Sequence, residues 1–186
     1  MINEMDLTVG MDPCPTMDWT RSVSAVSMKA SLEKLFSFAC SLGYSMEIAG
    51  TQMSYVEGKK ITLKYSDVKT TYYSLLHELG HVMIMKQLNL KADNTVFSLF
   101  YSGYLRPAKK KTKVDEVKLS VTLVHEELDA WRKGLDVAAM LELPLNLSDY
   151  SEHACMSVGT YIYNAAATWS ELYGDKYEGS VRGDEL

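Results

Sequence analysis

The chain has 186 residues, of which 47% are hydrophobic and 23% charged, so it can bury the core of one globular domain and is too short for two ordinary ones. Its formal net charge of -5, with no basic domain or stripe, argues against nucleic acid as a partner. Cys14, Cys40 and Cys155 lie far apart, form no C-x-x-C and cannot all pair within the chain, which fits a reducing, intracellular setting.

The opening stretch, MINEMDLTVGMDPCPTMDW, begins acidic and lacks the basic region and apolar run of a secretory signal. No window reaches about 18 consecutive apolar residues. A soluble, cytoplasmic protein without membrane association is expected. Residues 1–22 hold two of the four prolines and show no period, so they are read as an extended N-terminal arm. A folded domain is expected over residues 23–175 and a C-terminal tail over 176–186. The ending RGDEL looks like an ER-retrieval tail and an adhesion tripeptide, but both need a secreted protein, so the match is taken as chance.

Helix signals begin near Ser27. Met28, Leu32, Leu35, Ala39 and Leu42 recur at steps of three and four, and Gly43 supplies the residue that commonly ends a helix in a left-handed conformation. Alternation follows, in Tyr44, Met46 and Ile48, then around Tyr55 and Val56, then in Ile61, Leu63 and Tyr65. The last two runs flank EGKK and predict a hairpin. Asp67 or Thr70 can cap the next helix, which runs to about Leu88. Residues 91–113 mix aromatics, a Gly turn, a Pro and a lysine run, and are read as a long excursion with a solvated basic loop. A long helix from about Val114 stops at Pro144, and a last helix spans roughly Ser151 to Tyr173. The fold class expected is α+β. A small, mostly antiparallel sheet of about three strands packs with two central helices and flanking ones.

The chemistry lies in the helix after the hairpin, at HELGH, His77 to His81. On a helix turning about 100° per residue, His77 and His81 differ by about 40° and can offer two nitrogens to one metal ion. Glu78 sits about 100° from His77, where its carboxylate can reach a water on the metal without ligating the metal itself. The competing view is a core helix whose histidines have satisfied hydrogen bonds. At average residue frequencies, however, this spacing with Glu second arises in roughly one chain in a few hundred of this length, which favours zinc. Gly80 costs about 1 kcal/mol mid-helix against Ala, and close approach of another backbone would account for it.

A helix, a small sheet with the strand KKITLKYS and then a helix bearing HELGH resemble the zincin metallopeptidases, and among them the compact ImmA/IrrE-type peptidases of bacteria and phages. The resemblance spans about residues 27 to 135. It implies that His77 and His81 bind zinc, that Glu78 is the catalytic base, and that a glutamate on a later helix completes the site. The family's Glu-x-x-Ala motif matches ELDA, Glu127 to Ala130, with Trp131 where the family usually has Asn. The implied function is peptide-bond hydrolysis through a zinc-bound water activated by Glu78, on a peptide or protein substrate. The alternative is a zincin-fold interaction or structural protein, for example a phage component, that binds zinc without turnover. Zincins commonly seat substrate along an edge strand, and Ile61 to Ser66 is the candidate edge. For an additional oxyanion donor, Tyr72, Tyr101, Tyr104, His125 and His153 are all eligible.

A helical wheel chooses between the neighbours Glu126 and Glu127. Val124, Trp131, Ala138, Leu123 and Gly134 fall within about 60° of Glu127, which makes it the lone charge on an apolar face and the expected third ligand. Glu126 falls on an arc with Lys118, Arg132, Lys133 and Asp136, and is expected to be solvated and dispensable for metal.

Overall fold

A computed structural model of the chain describes residues 22–50, 54–87 and 113–181. The N-terminal arm with Cys14, the excursion with Tyr101, Tyr104 and most of its lysine run, and the final RGDEL residues lie outside the described residues.

The first helix, α1 (Ala25–Ser41), starts two residues before the expected Ser27, because the Ser24 hydroxyl accepts from the Ser27 N–H at 3.2 Å and caps it. It buries Met28, Leu32, Leu35 and Ala39. It ends at Gly43 as expected: φ there is +85°, the Gly43 N–H donates to Cys40 O and the Tyr44 N–H to Ala39 O.

Three strands follow: β1 (Ser45–Ala49), β2 (Tyr55–Glu57) and β3 (Lys60–Lys64). The β2–β3 hairpin is antiparallel, turning through Gly58 at φ +57°. β1, however, pairs parallel to β3, Ser45 opposite Lys60 through Ala49 opposite Lys64, and the order is β1-β3-β2. The sheet is therefore mixed, not mostly antiparallel. The last strand before the motif helix is its centre and not an edge: Lys60 to Thr62 is paired on both sides, and among the described residues the open edges belong to β1 and β2. The cause is burial. Ile61, Thr62 and Leu63 are the three consecutive buried residues of the sheet, and a strand buried on both faces gains most from neighbours on both sides.

Helix α2 (Val68–Gln87) is capped by Asp67, whose Oδ1 accepts from the Thr70 N–H at 2.9 Å, and buries most of its circumference, from Tyr72 to Met85. α3 (Lys113–Met140) ends short of Pro144. Glu142 takes φ +51° and the Leu143 N–H returns to Ala138 O, the same closing pattern as at Gly43 but without a glycine. Asn146 caps α4 (Leu147–Val181), its Oδ1 accepting from the Asp149 N–H at 3.0 Å, so this helix starts four residues before the expected Ser151 and runs beyond Tyr173.

α2 crosses α3 at glycines. A Cβ on Gly80 would lie 1.9 Å from the Ala130 carbonyl oxygen, and one on Gly134 would lie 2.8 Å from Leu76 O and 2.3 Å from the Tyr150 hydroxyl. α4 packs on α3 and also reaches α2: the Tyr150 hydroxyl donates to Trp131 O at 2.8 Å, and the Tyr150 ring meets Tyr73 edge-on. Among the described residues no helix is long and apolar enough to cross a membrane.

Candidate metal centre

The helical repeat of α2 puts His77 and His81 on the surface that faces α3, and the glycine crossing brings Glu127 down onto them. The two Nε2 atoms stand 3.1 Å apart. Glu127 places Oε2 3.1 Å from His77 Nε2 and Oε1 3.7 Å from His81 Nε2. All three side chains are buried, and their candidate ligand atoms lie within 4.8 Å of one another. Trp131, where the motif departs from the family pattern, stacks on the His77 imidazole with ring centroids 4.5 Å apart and planes inclined by 26°, which fixes the plane of that ring.

Charge in this pocket is distributed unevenly. Burial opposes a proton on His77, but its hydrogen bond to Glu127 and the Glu78 and Glu127 carboxylates outweigh that and raise its pKa. Burial and the neighbouring His77 push His81 down to about 4. For Glu127 burial favours the acid, yet the bond to His77, the charges of both histidines and a hydrogen bond from Tyr161 keep it ionised, with a lowered pKa. Glu78, 4% exposed, is pushed up to about 7 by burial, with His77 drawing it down and Glu127 driving it up.

The arrangement fits a divalent cation. Two imidazole nitrogens at 3.1 Å cannot both aim lone pairs at one point unless a proton or a cation lies between them, and one proton satisfies only one pair. A tetrahedral zinc ion with bonds of about 2.0–2.1 Å holds its ligand atoms roughly 3.3 Å apart. The separations of 3.1 Å between the two nitrogens, and of 3.1 and 3.7 Å from each nitrogen to one or the other Glu127 oxygen, are of that order.

Comparison of the chain with protein-family models, with curated proteins and with solved structures finds no match. A histidine pair four residues apart on one helix and a glutamate from another, buried together, are consistent with a zincin-like site.

Two residues depart from the sequence reading. Glu126 is not solvated: it is 7% exposed, and its Oε1 lies 3.8 Å from His81 Nδ1. Burial, and then the Glu127 charge, push its carboxyl up to about 8. Glu127 is not the centre of the buried face, because α3 meets α2 at Ala130. Seen from Ala130, Glu126 and Glu127 lie about 40° and 60° away on opposite sides, so both flank the contact. The second is Tyr161 on α4, absent from the candidate donors. Half-buried, it hydrogen-bonds Glu127, and its own pKa is raised by burial and then by the carboxylates around it. The inward stripe Tyr150, Ala154, Val158, Tyr161 was visible as a helical period, but only the packed fold shows what it faces. Of the donors proposed, Tyr72 is committed to the core, donating to Pro144 O at 2.9 Å. His125 is exposed, and His153 packs on Tyr73 and Trp131.

Proposed function

We propose that the protein is a zinc-dependent metallopeptidase that hydrolyses peptide bonds, with His77, His81 and Glu127 holding the metal and Glu78 as the base. The observation that supports it is the convergence of the two Nε2 atoms and the Glu127 carboxylate on one buried point. Two imidazoles and one carboxylate are the donor set of open catalytic zinc sites, which leave a position for water or substrate. When bound, zinc supplies Lewis acidity to that water and to the substrate carbonyl.

The chain's own residues do the rest. Glu78, beside the ligand pair on α2, takes the proton of the attacking water and returns it to the leaving amine. Its burial suits this, because a carboxyl shifted toward neutrality both accepts and releases a proton at working pH. Tyr161 holds the carboxylate of Glu127 in place. The substrate strand pairs with β1 or β2, whose outer edges carry no strand among the described residues, and not with the central β3.

The purified full chain is expected to carry about one zinc, measured by elemental analysis, and His77→Ala and Glu127→Ala to lose it. Equal metal content in all three would overturn the assignment. Tyr161→Phe is expected to retain zinc with affinity weakened about 10-fold, read by competition with a chelating dye; unchanged affinity would remove Tyr161 from the site.

One observation favours a second reading. His77, Glu78, His81 and Glu127 are each no more than 9% exposed, and such closure is common in structural zinc sites. A zinc-stabilised interaction module would bind the metal equally well and turn nothing over.

A further inference from the structure

The structure carries a third buried carboxylate, in Glu126, that the hydrolytic reading does not use. His81 Nε2 faces His77 and Glu127, while Nδ1, on the other edge of the ring, faces Glu126 Oε1 at 3.8 Å. Both His81 Nδ1 and Glu126 Oε2 are buried and have no hydrogen-bond partner among the described residues. Two buried polar groups left without partners and set side by side call for an explanation.

We propose that Glu126 is the outer partner of His81, accepting a hydrogen bond from Nδ1–H when the metal is bound and thereby fixing the tautomer that leaves Nε2 free to ligate. This rests on the metal-site reading above. A neutral imidazole has one ring proton, and a ring that ligates through Nε2 carries it on Nδ1, where a buried donor needs an acceptor. Glu126 is not a fourth ligand, since it approaches the ring from the Nδ1 edge and lies outside the cluster of converging atoms. The helix crossing sets the geometry: His81 follows Gly80 and Glu126 lies one turn before Ala130, so the contact that seats Glu127 on His77 also seats Glu126 on His81. Consecutive glutamates thus serve different shells of one site, one through the metal and one through a histidine.

The test uses the full chain and zinc alone, with Glu126→Gln, which keeps an acceptor oxygen, and Glu126→Leu, which removes it. Zinc affinity from chelator competition is expected to fall in the order wild type, Gln, Leu, with Leu about 10- to 100-fold weaker. The metal-free Leu chain should melt no lower than wild type, because a buried carboxylate without a partner is replaced by an apolar side chain; a purely structural role predicts the opposite pattern. Long-range nitrogen–proton NMR of the zinc-loaded wild type should show His81 protonated at Nδ1, with that resonance moving in both variants. A Leu chain that binds zinc within about two-fold of wild type, or a His81 protonated at Nε2 in the loaded protein, overturns the proposal while leaving the metal site standing. A wild-type chain that takes up no zinc overturns both. Should Leu fail to fold, the affinity and resonance shift of Gln decide by the same criteria.

Discussion

Glu78→Gln is expected to bind zinc as tightly as wild type and to lose peptide hydrolysis by about 10²- to 10⁴-fold, the usual contribution of a positioned general base. Gln preserves the size and hydrogen-bonding reach of Glu78, and the three converging ligand atoms belong to His77, His81 and Glu127, so the metal has no reason to leave. What disappears is a carboxylate able to take a proton. In the wild type its burial holds that group near pH 7 before any metal is added, and a bound cation would draw it lower, toward the ionised base. The measurement is cleavage of a random-sequence peptide mixture followed by mass spectrometry, beside zinc content. An unchanged cleavage pattern and rate would remove Glu78 from catalysis. Zinc loss in the variant would make Glu78 a ligand, and a wild type that binds zinc but cleaves nothing would favour the interaction module.

Gly80→Ala is expected to be the most destabilising single-methyl change in the motif helix. On an exposed helix the same change stabilises by about 1 kcal/mol, through backbone entropy alone. At Gly80 the added Cβ would lie 1.9 Å from the Ala130 carbonyl oxygen, and backbone cannot rotate away as a flexible side chain does. Forcing α2 from α3 should cost about 3 kcal/mol or more, roughly 10 °C in melting temperature for a chain of this size. Zinc affinity should fall with it, since the helix separation sets the distance from His77 to Glu127. Gly159→Ala on α4, where a Cβ meets nothing within 4 Å among the described residues, is the internal control and should be neutral or stabilising. Thermal melts of the metal-free chains decide the matter: a Gly80→Ala melting point at or above wild type would mean that the two helices do not cross as described.

Features set within one helical turn or one tight turn were legible in the chain itself. The shared direction of His77 and His81 follows from four residues at about 100° each. The end of α1 follows from a glycine at φ +85°, and the start of α2 from Asp67 reaching the Thr70 N–H. The mid-helix cost of Gly80 pointed to a close backbone, and Ala130 is that backbone. The choice of Glu127 rested on the Glu-x-x-Ala resemblance and on periodicity, which reports the direction of a side chain from its own axis.

Direction is not proximity, and the remaining features depend on proximity. A wheel drawn on α3 alone could not say that the contact centres on Ala130, and so it put Glu126 in water when both glutamates flank the crossing. Alternation identified the faces of three strands but not their neighbours, and β3 became central because only that strand is buried through Ile61, Thr62 and Leu63. Tyr161 enters the site from a helix that begins twenty residues after Glu127, by a packing of α4 on α3 that no local pattern encodes. The paired histidines were thus determined by the sequence, through the geometry of one hydrogen-bonded turn. The residues that surround them were decided only when three helices packed, because separations of 3 to 4 Å between distant parts of a chain are set by the shape of the contact surfaces and not by the period of any one of them.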